Sequence, residues 1–331
     1  MDSFRAFRIH EADNGVRAGF EELGVDDLTP GEVVIRVHYS DINYKDALAA
    51  TGKGRILRQY PLNGGIDLSG TVVSTEDPAL SEGQQVLVVG CGLSEVRDGG
   101  YSEIARVPAD CVVPLPAGLT LFDAMAIGTA GFTAALAVIR MEQLGQSPEM
   151  GPIVVTGATG GVGSIAIDLL SARGYEVIAF TGKTDQVGYL QKLGASQILD
   201  RSSVDYGNRP LEKALYGGAV DSVGGDALAW LTRTVKPFGN IASVGLAGGY
   251  KLETTVMPFI LRGVSLIGIN SIEMPRELRD RAWALLGGEM RPRHLDEIVS
   301  RVVEFDDLPG VFDEYIEATV TGRTVVRLHK D

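Results

Sequence analysis

Pro152-Ile-Val-Val-Thr-Gly-Ala-Thr-Gly-Gly-Val-Gly163 decides the fold of this chain. The apolar, β-branched run Ile153–Thr156 reads as a strand and ends in a glycine-dense turn. Beyond it, Val162, Ile165, Ala166, Ile167, Leu169 and Leu170 read as a buried helix. Strand, glycine turn and helix together set a helix N-terminus against a pyrophosphate, where unpaired backbone N–H groups meet negative charge. Gly157, Gly160 and Gly163 allow the tight turn, the approach of backbone to phosphate, and close packing of helix on strand. The spacing is G-x-x-G-x-x-G, a departure from G-x-G-x-x-G, with Ala158 after the first glycine. With strand and helix correctly placed on both sides, the reading is a dinucleotide site; the alternative is an ordinary βα turn.

The next strand, Tyr175-Glu-Val-Ile-Ala-Phe180, leads to Thr181, Gly182 and Lys183. An NAD site usually closes this strand with an Asp or Glu that binds the ribose 2′-hydroxyl. Here Glu176 comes too early and Asp185 too late. A carboxylate at the tip would repel a 2′-phosphate, whereas Lys183 attracts one. The expected cofactor is therefore NADP(H). The alternative makes Lys183 a solvated loop charge, with specificity set elsewhere.

Outward from this unit, strands and helices alternate through 186–193, 198–199, 219–223, 240–244 and 265–269, which implies a parallel sheet with helices on both faces. Upstream, 123–141 is alanine-rich and helical. The first third is β-rich, with strand runs at 33–39, 70–74 and 85–89 punctuated by glycine and proline. After Pro275 comes an amphipathic helix to Leu286 and a last strand at 324–328. The order is a β-domain, an inserted doubly wound domain, and a tail returning to the first.

At 331 residues the chain suits two domains, and 45% hydrophobic residues with 42 glycines suit a turn-rich α/β protein. No apolar run reaches the roughly 18 residues needed to span a bilayer, and the N-terminus shows no signal-peptide stretch. A formal charge of −13 disfavours nucleic acid and anionic membrane as partners. Only two cysteines occur, Cys91 and Cys111, which argues for a reducing, cytoplasmic compartment and against a disulfide framework. The four histidines form no spaced ligand pair.

This order, with Gly65-Ile-Asp-Leu-Ser-Gly70, Gly128-Thr-Ala-Gly131, Gly157-Ala-Thr-Gly-Gly-Val-Gly163 and Leu193-Gly-Ala195, resembles the medium-chain dehydrogenase/reductase superfamily along essentially the whole chain. The resemblance implies an α/β protein in which a GroES-like β-domain, 1–123 plus 273–331, is interrupted by a Rossmann domain, 124–272. Asn43-Tyr-Lys-Asp-Ala-Leu48, Thr51-Gly-Lys-Gly54, Gly245-Leu-Ala-Gly-Gly249 and Thr255-Val-Met-Pro-Phe-Ile-Leu-Arg262 resemble its zinc-independent, quinone-oxidoreductase-like branch, which includes acrylyl-CoA reductases. Zinc members of the superfamily carry a Cys near the position of Asn43 and a His near that of Ile66; neither residue here supplies such a ligand, so no metal is expected.

Without a Lewis acid, conjugate reduction of an activated C=C bond fits better than reduction of a ketone. NADPH then delivers hydride to the β-carbon of an α,β-unsaturated carbonyl, charge develops on the carbonyl oxygen, and a proton reaches the α-carbon. The resemblance gives Asn43, Tyr44, Asp46 and Asp67 as catalytic candidates. Tyr44 can stack on the nicotinamide or relay a proton, and Asn43 can orient the substrate. Asp46 is equally a helix cap, and Asp67 is equally a structural hydrogen-bonding group. The same resemblance gives a cofactor set of Tyr44, Thr129, Gly157, Thr159, Gly160, Gly161, Val162, Gly163, Thr181, Gly182, Lys183, Arg201, Leu246 and Ser271. Lys53, Arg55 and Arg58 form a cationic cluster that suits CoA phosphates, or else a solvated loop. The implied reaction is acryloyl-CoA to propionyl-CoA. A quinone or general enone reductase and a non-catalytic NADPH-binding protein are the alternatives. The strand at 265–269 reads as a sheet edge, and an apolar edge needs covering, so a homodimer is expected.

Overall fold

The structure, a computed structural model, describes residues 3–329. The chain separates into two compact units, one taking the residues up to Thr129, Ile272–Gly288 and Val299 onward, the other Ala130–Ser271 and Glu289–Ile298.

In chain order the first unit opens with strands β1 (Phe4–Ala12), β2 (Gly15–Leu23) and β3 (Val33–Asp41) and the helix α1 (Tyr44–Thr51). Strands β4 (Leu62–Asn63), β5 (Asp67–Thr75), β6 (Gln85–Val89), β7 (Ile104–Val107) and β8 (Val113–Pro114) follow. Helix α2 (Leu121–Gln143) is broken at Gly128, whose φ is 49°. It is long and apolar enough to cross a membrane by composition alone, yet 83% of its most apolar stretch is buried inside the protein, the mark of a core helix.

The second unit contains β9 (Ile153–Thr156), α3 (Gly161–Ala172), β10 (Val177–Thr181), α4 (Val187–Lys192), β11 (Gln197–Asp200), β12 (Tyr216–Asp221), α5 (Gly225–Thr234), β13 (Val235–Ser243), α6 (Met257–Arg262) and β14 (Ser265–Gly268). Then come α7 (Arg276–Leu286), α8 (Leu295–Ile298), β15 (Val299–Glu304), α9 (Phe312–Ile316) and β16 (Arg323–Arg327).

In the first unit, β15-β16-β3-β5-β6-β8 form one sheet with β7 also on β3, while β2-β1-β4 form a second. Val33, Ile35 and Val37 of β3 are buried at alternate positions, as a strand with one core face requires. Beside it Phe7, Ile9, Ile42, Leu62, Tyr101 and Phe312 form an aromatic-rich core. Strand β16, from the far end of the chain, pairs antiparallel with β3, with Val325 opposite Asp41.

One expectation fails here. Cys91 and Cys111 are joined in a disulfide, with Cα atoms 5.9 Å apart. The cause is register: β6 runs antiparallel to β8, with Val86 opposite Pro114 and Leu87 opposite Val113, so the residues just after β6 and just before β8 meet. A low cysteine count says nothing about that proximity.

In the second unit the sheet order is β11-β10-β9-β12-β13-β14, with every pairing parallel. Strands β9, β10 and β12 are buried along their whole length. Helices cover both faces of such a sheet, which is why these strands read as unbroken apolar runs. The chain reverses direction across the sheet between β9 and β12, the switch point where doubly wound folds bind ligands beyond the strands' carboxyl ends.

Candidate active site

In the first unit the chain turns at the end of β3 into α1, and the turn is built from side chains. Asn43 is the N-cap of α1. Asp46, in the first turn, accepts the backbone N–H of Asn43 at 2.8 Å and that of Ile66 at 2.9 Å. Because Asp46 satisfies the helix start, the Asn43 side chain is left for other partners. Its Nδ2 donates to Asp41 Oδ1 at 2.7 Å and to Asp67 Oδ2 at 2.9 Å. Asp67 in turn accepts the Thr129 backbone N–H at 2.8 Å and the Thr129 hydroxyl at 2.5 Å.

Arg323 closes this network from β16. Its guanidinium donates to Asp41 Oδ2 at 2.5 Å and to Asn43 Oδ1 at 3.1 Å, and also reaches the carbonyls of Ile42, Met125 and Ala126. The break in α2 follows from this: a Cβ on Gly128 would strike the Asp41 carboxylate and the Arg323 guanidinium. The glycine of Gly128-Thr-Ala-Gly131 therefore makes room for the ion pair, and Thr129 follows it onto Asp67.

Three carboxylates thus face one guanidinium. Burial holds Asp41 well above the usual carboxylate range, with Arg323 only partly opposing it and Asp67 and Asp46 adding to it. Burial likewise pushes Asp46 up to about 7. For Arg323, burial works downward, but Asp41 and its neighbours carry it higher on balance, so the guanidinium stays charged. Burial thus works toward the protonated form at Asp41 and Asp46, against the pull of Arg323 on Asp41. Asp41, Asp46 and Asp67 are buried, whereas Asn43 and Thr129 are partly exposed and Tyr44, at the start of α1, is 45% exposed.

Of the expected cationic cluster, Arg55 and Arg58 line a cavity of about 380 Å³ together with Lys45, Ile56, Leu57 and Glu95. Lys53 does not line it and instead pairs with Asp313 at 3.7 Å. Sequence reasoning missed Asp41, Arg323, Lys45 and Glu95. The available signal for Arg323 was an arginine at the head of a strand with a Val-Val centre.

In the second unit, Gly157 has φ 60°, and a Cβ on Gly163 would run into the Gly157 carbonyl, so the strand and α3 approach at a distance only glycine permits. Thr159, Gly160 and Gly161 form the turn into α3, and the first N–H groups of that helix have no intrahelical partner. Thr156 donates to Asp221 at 2.7 Å, tying the ends of β9 and β12 together. At the tip of β10, Lys183 N–H donates to the Thr181 hydroxyl at 3.0 Å. Burial lowers the Lys183 pKa, with Asp185 partly opposing it. The Arg201 guanidinium lies over Gly182, 3.1 Å from where a Cβ would sit. Leu246 and Ser271 follow β13 and β14, so the candidates of this unit lie at or past the carboxyl ends of its strands. A cradle of backbone N–H groups with cations at the second strand's tip fits a phosphorylated dinucleotide. Among the described residues no group of three or more His, Cys, Asp or Glu is placed to hold a metal ion.

Residues 29–117 match the alcohol dehydrogenase GroES-like domain, and residues 161–287 match the zinc-binding dehydrogenase family. With the site and the two-unit fold, these matches define the class: the chain belongs to the medium-chain dehydrogenase/reductase superfamily, in its quinone-oxidoreductase-like branch. Within it the chain is similar to the putative quinone oxidoreductase YhfP of Bacillus subtilis, 45% identical over 98% of this chain and 99% of that one. The crystal structure of YhfP with NAD bound matches with a TM-score of 0.96, covering 99% of this chain and 100% of that one. The acrylyl-CoA reductase AcuI of Ruegeria pomeroyi is 44% identical over 96% of each chain. The yhdH oxidoreductase of Salmonella enterica, solved in complex with NADP, is 45% identical with a TM-score of 0.95, over 98% of this chain and 100% of that one.

Proposed function

We infer that the protein is an NADPH-dependent reductase of the C=C bond of a small α,β-unsaturated acyl-CoA, with acryloyl-CoA to propionyl-CoA as its reaction. The observation that carries the acyl-CoA reading is the cavity lined by Lys45, Arg55 and Arg58, which opens beside the start of α1, one residue from Tyr44 and two from Asn43. Cations so placed suit phosphates of a long substrate whose acyl end lies near the carboxylate–amide network. NADP(H) is supported by the relatives solved with it, by the lack of a carboxylate at the tip of β10, and by Lys183 with Arg201 beside it. Gly157, Thr159, Gly160, Gly161, Val162 and Gly163 would hold its pyrophosphate. When bound, it supplies the hydride.

The chain's own residues do the rest. Asn43 and Thr129, the partly exposed members of the network, have their donors committed to Asp41 and Asp67, so the exposed Tyr44 hydroxyl beside them is the group able to donate to a developing oxyanion. Asp67 bonds Asn43 and Thr129 and fixes their direction. Asp46 fixes the α1 start, and with it Tyr44.

A quinone reductase is the second reading, favoured by Glu95, which already neutralises part of the cavity's charge. An NADPH-oxidation screen of acryloyl-CoA, crotonyl-CoA, a small enone and a benzoquinone separates the two. The acyl-CoA reading expects the highest kcat/KM with acryloyl-CoA; highest efficiency with the quinone would refute it. The protein is further proposed to be a homodimer through the β14 edge, where Phe238, Val256, Ile260, Leu261 and Leu266 leave apolar surface exposed.

A further inference from the structure

The cavity that carries the acyl-CoA reading contains its own counter-anion. Glu95 Oε1 sits 2.7 Å from Lys45 Nζ, and its Oε2 sits 3.8 Å from Arg58 Nη2. The Glu95 side chain is only 12% exposed and Lys45 is half-buried, so their pairing is poorly screened, whereas Arg58 is open to solvent. Its backbone is committed as well: the Glu95 carbonyl accepts the Arg58 N–H at 2.8 Å, and the Val96 carbonyl accepts from Gln59. Glu95, carried on the loop 90–97, is therefore the residue through which that loop lines the cavity.

That loop is unusual. Gly90, Cys91, Gly92 and Ser94 all have left-handed φ, and two of these are not glycine. The Ser94 hydroxyl is buried with no hydrogen-bond partner. The neck is closed by Arg97, which donates to the Cys91 carbonyl at 2.8 Å, and is pinned from outside by the Cys91–Cys111 disulfide. A loop with strained residues and an unsatisfied buried hydroxyl keeps its shape only where the surroundings impose it. Here the covalent link to Cys111 acts together with the loop's own backbone bonds, in which the Glu95, Val96 and Arg97 N–H groups donate to the Gly92 carbonyl and the Ser94 N–H to the Arg97 carbonyl.

We propose that Glu95 is a specificity-determining residue that competes with substrate phosphate for Lys45 and Arg58, and that the Cys91–Cys111 disulfide sets the strength of that competition. This rests on the acyl-CoA reading of the site. With the disulfide closed, Glu95 is clamped on the two cations and a CoA phosphate must displace it. When a dithiol reduces the bond, the S–S bond breaks and each cysteine sulfur gains an electron and a proton. The two dithiol sulfurs lose them and join in a new S–S bond. The loop neck is then held only by hydrogen bonds, Glu95 gains freedom, and Lys45 and Arg58 become available to phosphate. Reduction thus tightens binding of the CoA thioester.

The test measures the affinity for propionyl-CoA, which has no free thiol, by calorimetry on the full chain. It compares wild type oxidised, wild type after dithiothreitol, Glu95→Gln in both states, and Cys91→Ser/Cys111→Ser. KM values for acryloyl-CoA and a small enone are measured alongside. Glu95→Gln should tighten propionyl-CoA binding about three- to tenfold, the range expected when a partly buried competing charge is removed. Reduction of wild type should tighten it in the same direction, and Glu95→Gln should show no further response to reduction, because two changes acting through one contact are not additive. The ratio of KM for acryloyl-CoA to KM for the enone should fall in step. Unchanged or weaker binding in Glu95→Gln overturns the proposal, as does a redox response that survives Glu95→Gln or a mass showing two free thiols in unreduced protein. Should the double serine variant fail to fold, the paired measurement on Glu95→Gln decides alone. Turnover of acryloyl-CoA without any Glu95 effect defeats the proposal and leaves the acyl-CoA reading standing; absence of propionyl-CoA binding in every form defeats both.

Discussion

Arg323→Met removes the one guanidinium that faces Asp41, Asp46 and Asp67. Methionine keeps much of the volume and none of the hydrogen bonds to Asp41, Asn43 and the carbonyls of Ile42, Met125 and Ala126. Arg323 and Asp41 side chains are 3% and 0% exposed, so water cannot replace what is lost. Breaking a buried pair in this way costs about 3–5 kcal/mol at a pH where the carboxylate left behind is ionised and uncompensated. The pH dependence is more diagnostic than the size. Burial already holds Asp41 well above its usual range and Asp46 at about 7, and without Arg323 Asp41 rises further. A carboxyl whose folded pKa exceeds its unfolded value gives stability that is present at low pH and lost as pH rises through the folded value. Each such proton is worth about 1.4 kcal/mol per pH unit. The deficit of the variant should therefore be smallest at low pH, where the carboxyls are protonated in both proteins, and grow as pH rises. Urea unfolding at a low and at a higher pH measures this. Trp283 belongs to the first unit and Trp230 to the second, so a Trp230→Phe background reports the first unit alone, which matters because two units need not unfold together. Adding Asp41→Asn should recover a large part of the loss. A cost below about 1 kcal/mol at both pH values, the level of a surface pair, would refute the account of this network.

Gly128→Ala should destabilise the first unit by at least about 3 kcal/mol, since its Cβ meets Asp41 and Arg323 at a backbone position with φ 49°; wild-type unfolding would show that the break in α2 serves something else. The protein should bind NADPH about tenfold more tightly than NADH, and Lys183→Ala/Arg201→Ala should erase the difference, read by nucleotide fluorescence titration. Equal affinities in wild type would remove Lys183 and Arg201 from the cofactor site. Light scattering should give about twice the chain mass of 35.2 kDa, and Ile260→Glu with Leu261→Glu should lower it; a wild-type monomer at micromolar concentration contradicts the edge-pairing proposal.

The second unit was legible because its chemistry is local. Strand β9, the glycine turn and α3 are contiguous, and a parallel strand buried on both faces announces itself as an apolar run. The hairpin of β1 and β2 was not read. Its strands carry Arg5, Arg8, His10, Arg17, Glu21 and Glu22, which hide the alternation, although Asn14-Gly15 at its turn is a recognised hairpin signal. The carboxylate network was half legible. Asn43, Asp46 and Asp67 lie in motifs, whereas Arg323 reaches Asp41 through pairing of strands from opposite ends of the chain, which no local pattern encodes. The disulfide was hidden for the same reason, since antiparallel pairing of β6 with β8 brings its cysteines together. In the cationic cluster, charge in the sequence located the region but not the partners: Lys53 turns to Asp313, and Lys45 takes its place at the cavity.

The central claim is that hydride goes to the β-carbon of an acyl-CoA thioester and a proton to its α-carbon. The most direct measurement is mass spectrometry and NMR of the product formed from acryloyl-CoA with NADPH deuterated at the transferring C4 position, run in ordinary water and again, with unlabelled NADPH, in D₂O. The account predicts propionyl-CoA with deuterium at the β-carbon in the first case and at the α-carbon in the second. Unreacted acryloyl-CoA alongside rapid consumption of a benzoquinone, or product whose β-carbon carries no cofactor deuterium, would contradict it.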